Sequence, residues 1–245
     1  LNRKLVPFFF FFNEKNRILI LSGPNAGGKS VILKSLGLLQ LMVQSGFLVP
    51  VAKGSVFNLF KVICADIGDH QSMDDALSTY SAKLANMRDF EAHASRDSLI
   101  LIDEFGSGTE PHMGGAIAES LLFALNKKYV FGVINTHYTN LKTFAHKHSG
   151  LVNGAMIFDE KNLSPTYQLQ VGRPGSSYAF EIAEKNNLPA HILAYAKQRV
   201  GNQTVSFEQL LAKLDQESSV LQKEIAEKNT KKIGLDKLIK SYQDM

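Results

Sequence analysis

The chain predicts an α/β protein: a mainly parallel sheet with helices on both faces, followed by a helical extension. Three observations predict it. Apolar runs of strand length ("RILILS", "SLILID", "YVFGVINT") alternate with helix-patterned stretches. The first run empties into the glycine-rich octapeptide "GPNAGGKS", and beyond about Thr204 the composition turns polar and helix-forming. With 245 residues there is room for one such domain and an appendage, and 44% hydrophobic with 20% charged residues is ordinary for a globular protein. A net charge of +4 permits a polyanionic partner, though no run of basic residues marks a binding arm. One cysteine, Cys64, excludes an internal disulfide and suits a reducing, cytoplasmic setting.

The opening "LNRKLVPFFFFFNEKNR" imitates a signal peptide, but the apolar run is short and no small-x-small cleavage site follows. Phe8 to Phe12 read instead as a buried strand paired with "RILIL" across a polar turn. A chain opening on Leu rather than Met is expected to be a piece of something longer. Strand "RILILS" feeds the glycine-rich loop, and a helix runs from about Lys29 to Ser45. Short strands around "SVFNLFKVICADI" come next, then a helix from about Thr79 to Ser95. "SLILID" is apolar throughout, as a strand buried on both faces must be. A helix from about Met113 to Leu125 and strand "YVFGVINT" complete the alternation. "GLVNGAMIFDEKNLSPTYQLQVGRPG" reads as two strands joined by a polar turn, and two helical stretches follow. No membrane-spanning segment is expected.

In the tail, Leu214, Leu221, Leu235 and Tyr242 fall on a seven-residue spacing, with Leu211, Ile225 and Ile239 as companions. Lys228 and Lys232 interrupt both rows, and Gly234 lies close by. A coiled-coil arm with a weak point, two helices folded back, or an amphipathic helix on its own domain all fit. The expected division is therefore 1–202 for the α/β domain and 203–245 for the helical segment.

The chemistry starts at "GPNAGGKS", which fits the phosphate-binding pattern G-x-x-x-x-G-K-[ST]. Gly23, Pro24, Asn25, Ala26, Gly27, Gly28, Lys29 and Ser30 would form a P-loop whose backbone N–H groups face phosphate oxygens at a helix N-terminus. Lys29 would reach the β- and γ-phosphates and Ser30 would ligate Mg²⁺. Ligands of such sheets sit at the carboxyl ends of strands, where Gly23, Asp103 and Thr136 all fall. Asp103 would hold the metal's water shell, and Glu104 would orient or deprotonate an attacking water. A small-molecule kinase needs no such glutamate, so the pair favours an NTPase. His137, next to Thr136, can contact the γ-phosphate or the water. Gly106 to Pro111 is a glycine-rich turn that serves either as a plain connection or as the place where a second subunit approaches. Ser78, Thr79 and Ser81 offer hydroxyls and free N–H groups at a helix start, although capping alone accounts for Ser78.

Taken together, "GPNAGGKS", "STYSAKLANM", "LIDEFGSGTEP", "NTHYTNLK" and "SSYAFEIAEKNNLPAHILAYA" resemble the ordered motifs of the MutS group of ABC-type ATPases, over roughly residues 17 to 200. "ADIGDHQSMDDALSTYS" and "PTYQLQVGRPGSSYAF" are similar to its second bacterial branch. Ala26 stands where the group often has Met or Thr, Ser107 varies within the turn, and Tyr80 replaces the usual Phe. The resemblance implies ATP and Mg²⁺, and a homodimer with two composite sites. In it Ser78 (or Ser81) contacts the γ-phosphate bound by the partner's Lys29, while Glu104 and His137 act beside their own P-loop. It further implies a clamp on branched or mismatched DNA, a role in repair or recombination suppression, and DNA contacts outside this chain. Members of that branch commonly carry a coiled coil and then a small Smr nuclease; no nuclease activity is expected of these residues. Two alternatives stay open: action on ribosomes or structured RNA, and a transport or chromosome-type ABC ATPase. The latter expects an LSGGQ-type signature where this chain has "STYSAKL".

Overall fold

A computed structural model describes residues 6–24, 27–68, 76–159 and 164–200, together with scattered positions between Leu210 and Lys232; for residues 76–79 it describes the backbone alone. The elements run β1 (Asn16–Ser22), α1 (Lys29–Gln44), β2 (Val62–Asp66), α2 (Ala76–His93), β3 (Ser98–Ile102), α3 (Pro111–Lys127), β4 (Phe131–Asn135), α4 (Thr139–Lys147), β5 (Gly150–Asp159), β6 (Ser164–Val171), α5 (Ala179–Lys185) and α6 (Ala190–Val200). The chain divides into two compact units, 1–182 and 183–245. The first holds the whole sheet; the second holds α6 and the scattered helical positions.

Strand order is β2-β3-β4-β1-β5-β6, with every pairing parallel except β5 with β6. This is the predicted α/β sheet. Alternation along the central strands supplies two cores. Ile18, Ile20, Ile100, Ile102 and Ile134 point to one face, where they meet Met87 of α2, Leu122 of α3 and Leu141 of α4. Leu19, Leu21, Leu99, Leu101 and Val133 point to the other, where Ile32 and Leu33 of α1 cover them. Each such side chain contributes about 1.5–3 kcal/mol by leaving water, which is why these strands carry no polar alternation. Packing within the sheet is tight enough to require glycine at position 132. A Cβ on Gly132 of β4 would lie 2.6 Å from the carbonyl oxygen of Ile100, a backbone atom fixed in the adjoining strand. Gly132→Ala is therefore expected to lower stability by about 3 kcal/mol, read as the shift in a urea-unfolding midpoint at constant slope.

Two strand expectations are corrected. Phe8 to Phe12 form no ladder with β1, because β4 and β5 already occupy both of its edges. The period-two pattern survives without the ladder: Phe8, Phe10 and Phe12 pack on the second core, while Phe9 and Phe11 are exposed. Of "SVFNLFKVICADI" only Val62–Asp66 is strand. Ahead of it, α1 side chains take over the backbone polar groups: Gln40 Nε2 donates to the Asn58 carbonyl, and Gln44 both accepts from Phe60 N and donates to its carbonyl. Helix α4 is an addition to the predicted elements. In the tail, Leu221, Ile225, Lys228 and Lys232 are helical and exposed; Leu211, Leu214, Leu235, Ile239 and Tyr242 lie outside the described residues.

Candidate functional site

Because β1, β3 and β4 are adjacent and parallel, their carboxyl ends share one edge of the sheet. The strand register aligns Leu21 with Asn135 and Ile102 with Ile134. Gly23, Asp103 and His137, distant in sequence, therefore converge. Cross-strand bonds lock the convergence: Thr136 N donates to the Leu21 carbonyl (3.1 Å), Phe105 N to the Asn135 carbonyl (2.8 Å), and Thr136 Oγ1 to the Phe105 carbonyl (3.2 Å).

The glycine-rich loop leaves β1 at Gly23, turns through a Gly27 N to Pro24 carbonyl bond of 2.9 Å, and enters α1 at Gly28. Asn25 and Ala26 lie outside the described residues. Gly28 has φ 90°, a left-handed conformation in which a Cβ would also lie 2.7 Å from the Tyr167 ring. Helix α1 carries no side-chain cap and no acid in its first turn. Helix α3, by contrast, is capped by Glu110, which accepts from His112 N and Met113 N. Among the described residues no side chain caps the first turn of α1, the arrangement that suits an anion at a helix N-terminus.

Lys29 is 2% exposed, and its ammonium donates to the carbonyls of Gly23 (2.7 Å) and Pro24 (2.8 Å). Burial pushes its pKa down to about 8; Asp103 and Glu104 pull the other way, and Lys142 adds to the fall. Asp103, half-buried, accepts from Glu104 N at 3.1 Å and from Asn135 Nδ2. Asn135 Oδ1 is buried beside it and makes no hydrogen bond among the described residues. Glu104 is exposed at φ 50°, a backbone region that costs a non-glycine residue about 1–3 kcal/mol and clusters at functional sites. His137 stands at the exposed rim. Desolvation, then the Lys29 and Lys142 charges, push its pKa below the usual histidine value, while Asp103 pulls the other way.

The structure thus brings Asp103, Glu104 and His137 within electrostatic reach of Lys29, with Ser30 half-buried at the start of α1. Ser78 and Thr79 belong to α2, and of the three signature residues only the Ser81 side chain is described; it is exposed. Among the described residues no group of three or more His, Cys, Asp or Glu side chains could hold a metal by itself. A divalent ion here would complete its shell from phosphate and water, as Mg²⁺ ordinarily does. The uncapped N–H groups, the buried ammonium and the orphaned Asn135 oxygen beside Asp103 together fit a nucleotide with such an ion.

Two contributors escaped sequence reasoning. Lys142 of α4 is 4% exposed and donates to the Gly175 carbonyl at 3.0 Å, while Gly175 N donates to Ser22 Oγ at 2.8 Å, so the segment after β6 is tied to the strand that feeds the loop. Tyr167 of β6, at φ 58° and 45% exposed, presents its ring against Gly28. No periodicity marks either residue; each matters through its nearness to the glycine-rich loop, Lys142 to Lys29 and Tyr167 to Gly28.

Comparison with known proteins agrees with this geometry. Residues 19–204 match the family described as MutS domain V. The chain is 38% identical over 242 residues to a protein named Endonuclease MutS2 from Clostridium botulinum (strain Okra / Type B1), covering 99% of this chain and 31% of that relative. A protein of the same name from Lachnoclostridium phytofermentans is 39% identical over 225 residues, covering 92% and 28%. The chain spans under a third of the length of these relatives.

Proposed function

Because this chain belongs to the MutS domain V family, we propose that it binds ATP at the P-loop and hydrolyses it, with Glu104 orienting and deprotonating the attacking water. The observation that carries the reading is the buried Lys29 ammonium, held by two loop carbonyls at the uncapped N-terminus of α1 and facing Asp103 and Glu104. A cation kept out of water at that cost is matched to an anion that arrives and replaces the lost solvation.

In this reading the loop of Gly23, Pro24, Asn25, Ala26, Gly27 and Gly28 wraps the phosphates, every residue but Pro24 having a backbone N–H to offer, and Lys29 neutralises the outer ones. Ser30 and Asp103 would hold Mg²⁺, which when bound spreads the developing charge. The left-handed backbone at Glu104 directs its carboxylate out of the strand line while Asp103 stays tied to Asn135. His137 contacts the γ-phosphate or the water, and its lowered pKa favours the uncharged ring. Tyr167 offers a flat ring at the loop for the base.

For the whole protein, Ser78, Thr79 and Ser81 reach a nucleotide held by a second copy, giving a homodimer with composite sites. Its ATP cycle controls a clamp on branched or mismatched DNA in the cytoplasm. The name of the relatives, an endonuclease, supports a nucleic-acid substrate; we assign no nuclease chemistry to these residues. The exposed, helical Leu221 and Ile225 support a coiled coil as the reading of the tail, most of which lies outside the described residues. No described helix is long and apolar enough to cross a membrane. The test is Mg²⁺-dependent ATP turnover of the intact protein with branched DNA, with ribosomes, and with neither. Severalfold stimulation by branched DNA is expected. Stimulation by ribosomes alone hands the substrate to the structured-RNA alternative, and absence of Mg²⁺-dependent turnover overturns the ATPase itself.

A further inference from the structure

Side chains on one face of α2 meet the turn that carries Glu104 and the strand beside it. Tyr80, Lys83 and Asn86 are spaced three apart, so they lie along one side of the helix. Lys83 Nζ donates to Ser107 Oγ at 2.8 Å, and Ser107 N donates in turn to the Glu104 carbonyl at 3.1 Å. The Tyr80 ring packs on Gly108, where a Cβ would stand 3.4 Å from it. Asn86 Nδ2 donates to Asp66 Oδ1 at 3.1 Å, and the Asp66 carbonyl accepts from Asp103 N at 2.9 Å. Between these contacts lies a cavity lined by Tyr80, Lys83, Asp103, Glu104, Ser107 and Ile117, among others, and the Tyr80 hydroxyl is buried there without a hydrogen bond among the described residues. The helix thus touches the acid turn at two points, through Lys83 and Tyr80, and the neighbouring strand β2 at a third, through Asn86, across an incompletely filled space.

We propose that Lys83 is a positioning residue for the Glu104 turn, and that through it the placement of α2 governs ATP turnover. The inference rests on the proposed role of Glu104. A non-glycine residue at φ 50° keeps that conformation only while its surroundings hold it, and the Lys83–Ser107–Glu104 chain of bonds is the direct hold. Since α2 also carries Ser78, Thr79 and Ser81, engagement of those residues by a second copy's nucleotide would be transmitted to the hydrolytic carboxylate of this one. The two sites of a dimer would then report on each other through one lysine.

The experiment compares Lys83→Met, Lys83→Arg, Ser107→Ala and the double variant Lys83→Met/Ser107→Ala in the intact protein. It reads kcat, the Kd for ATP and the unfolding midpoint. Expected are a fall of about 10- to 100-fold in kcat for Lys83→Met, an unchanged Kd, partial recovery with Lys83→Arg, and a double variant no worse than the worse single one. Ser107→Ala removes only the acceptor and keeps the test alive if Lys83→Met fails to fold. Unchanged kcat in both single variants, or effects that multiply in the double, overturn the proposal. Glu104→Gln separates this from the reading beneath it. If that variant is inactive while the Lys83 and Ser107 variants turn over normally, the latch alone falls; if it turns over fully, the role of Glu104 falls first.

Discussion

Glu104→Gln is expected to bind ATP within a few-fold of the unaltered chain and to lose turnover by about 10²–10⁴-fold. Glutamine keeps the shape and can still hydrogen-bond a water, but it takes no proton from it. The exposed carboxylate makes no side-chain bond that the substitution would orphan among the described residues, so stability should hardly change. Bound but uncleaved ATP should also hold two copies together, since each composite site would remain loaded. Sedimentation with ATP and Mg²⁺ checks this: the variant is expected to shift from monomer or weak dimer to a stable dimer. Full turnover sinks the assignment of Glu104. An unmoved sedimentation coefficient counts against the shared site, whatever the turnover shows.

Lys29→Met is expected to weaken ATP binding by about 2–5 kcal/mol, which is roughly 30-fold to several thousand-fold in Kd. It should also change how stability depends on pH in the absence of nucleotide. Lys29 titrates at about 8 in the folded chain and at its ordinary value of 10.5 when unfolded. Between those values the unfolded chain holds a proton that the folded chain has released, so this residue makes stability rise with pH across the window. The rise amounts to about 3 kcal/mol in all. Cys64, whose thiol burial pushes up, pulls the other way, so the comparison must be between the two chains. Urea titrations at pH 7.5 and 10 should show Lys29→Met losing the upward contribution while the Cys64 effect stays. Parallel pH profiles would show that the ammonium bears no burial cost, and would remove the observation on which the anion site rests.

Much of the sheet was legible because its central strands are buried on both faces, and continuous apolar runs such as Ser98–Ile102 have few other ways to fold. Where reading failed, a local pattern was satisfied by a distant partner. Alternate phenylalanines at Phe8, Phe10 and Phe12 look like a strand, and they do face a core, but β1 has no edge left to pair with them. The stretch before Val62 has strand composition, yet Gln40 and Gln44 of α1 meet its backbone. Helix α4 is nine residues long, and the residue that opens it, Tyr138, caps it with no side-chain bond, so no start signal announces it. Lys142 was hidden with it.

The order of the residues was enough to determine a P-loop between strand and helix, an Asp-Glu pair closing an apolar strand, and a histidine closing the next, because each is a short-range arrangement dictated by backbone geometry. Tertiary structure alone decided which strand ends are neighbours, that Lys29 is sealed from water, that Lys142 and Tyr167 join the site, and that α2 grips the Glu104 turn through Lys83. Burial, electrostatic reach and cross-chain hydrogen bonds belong to sets of residues far apart in sequence, so they come into being only when the sheet brings those residues together.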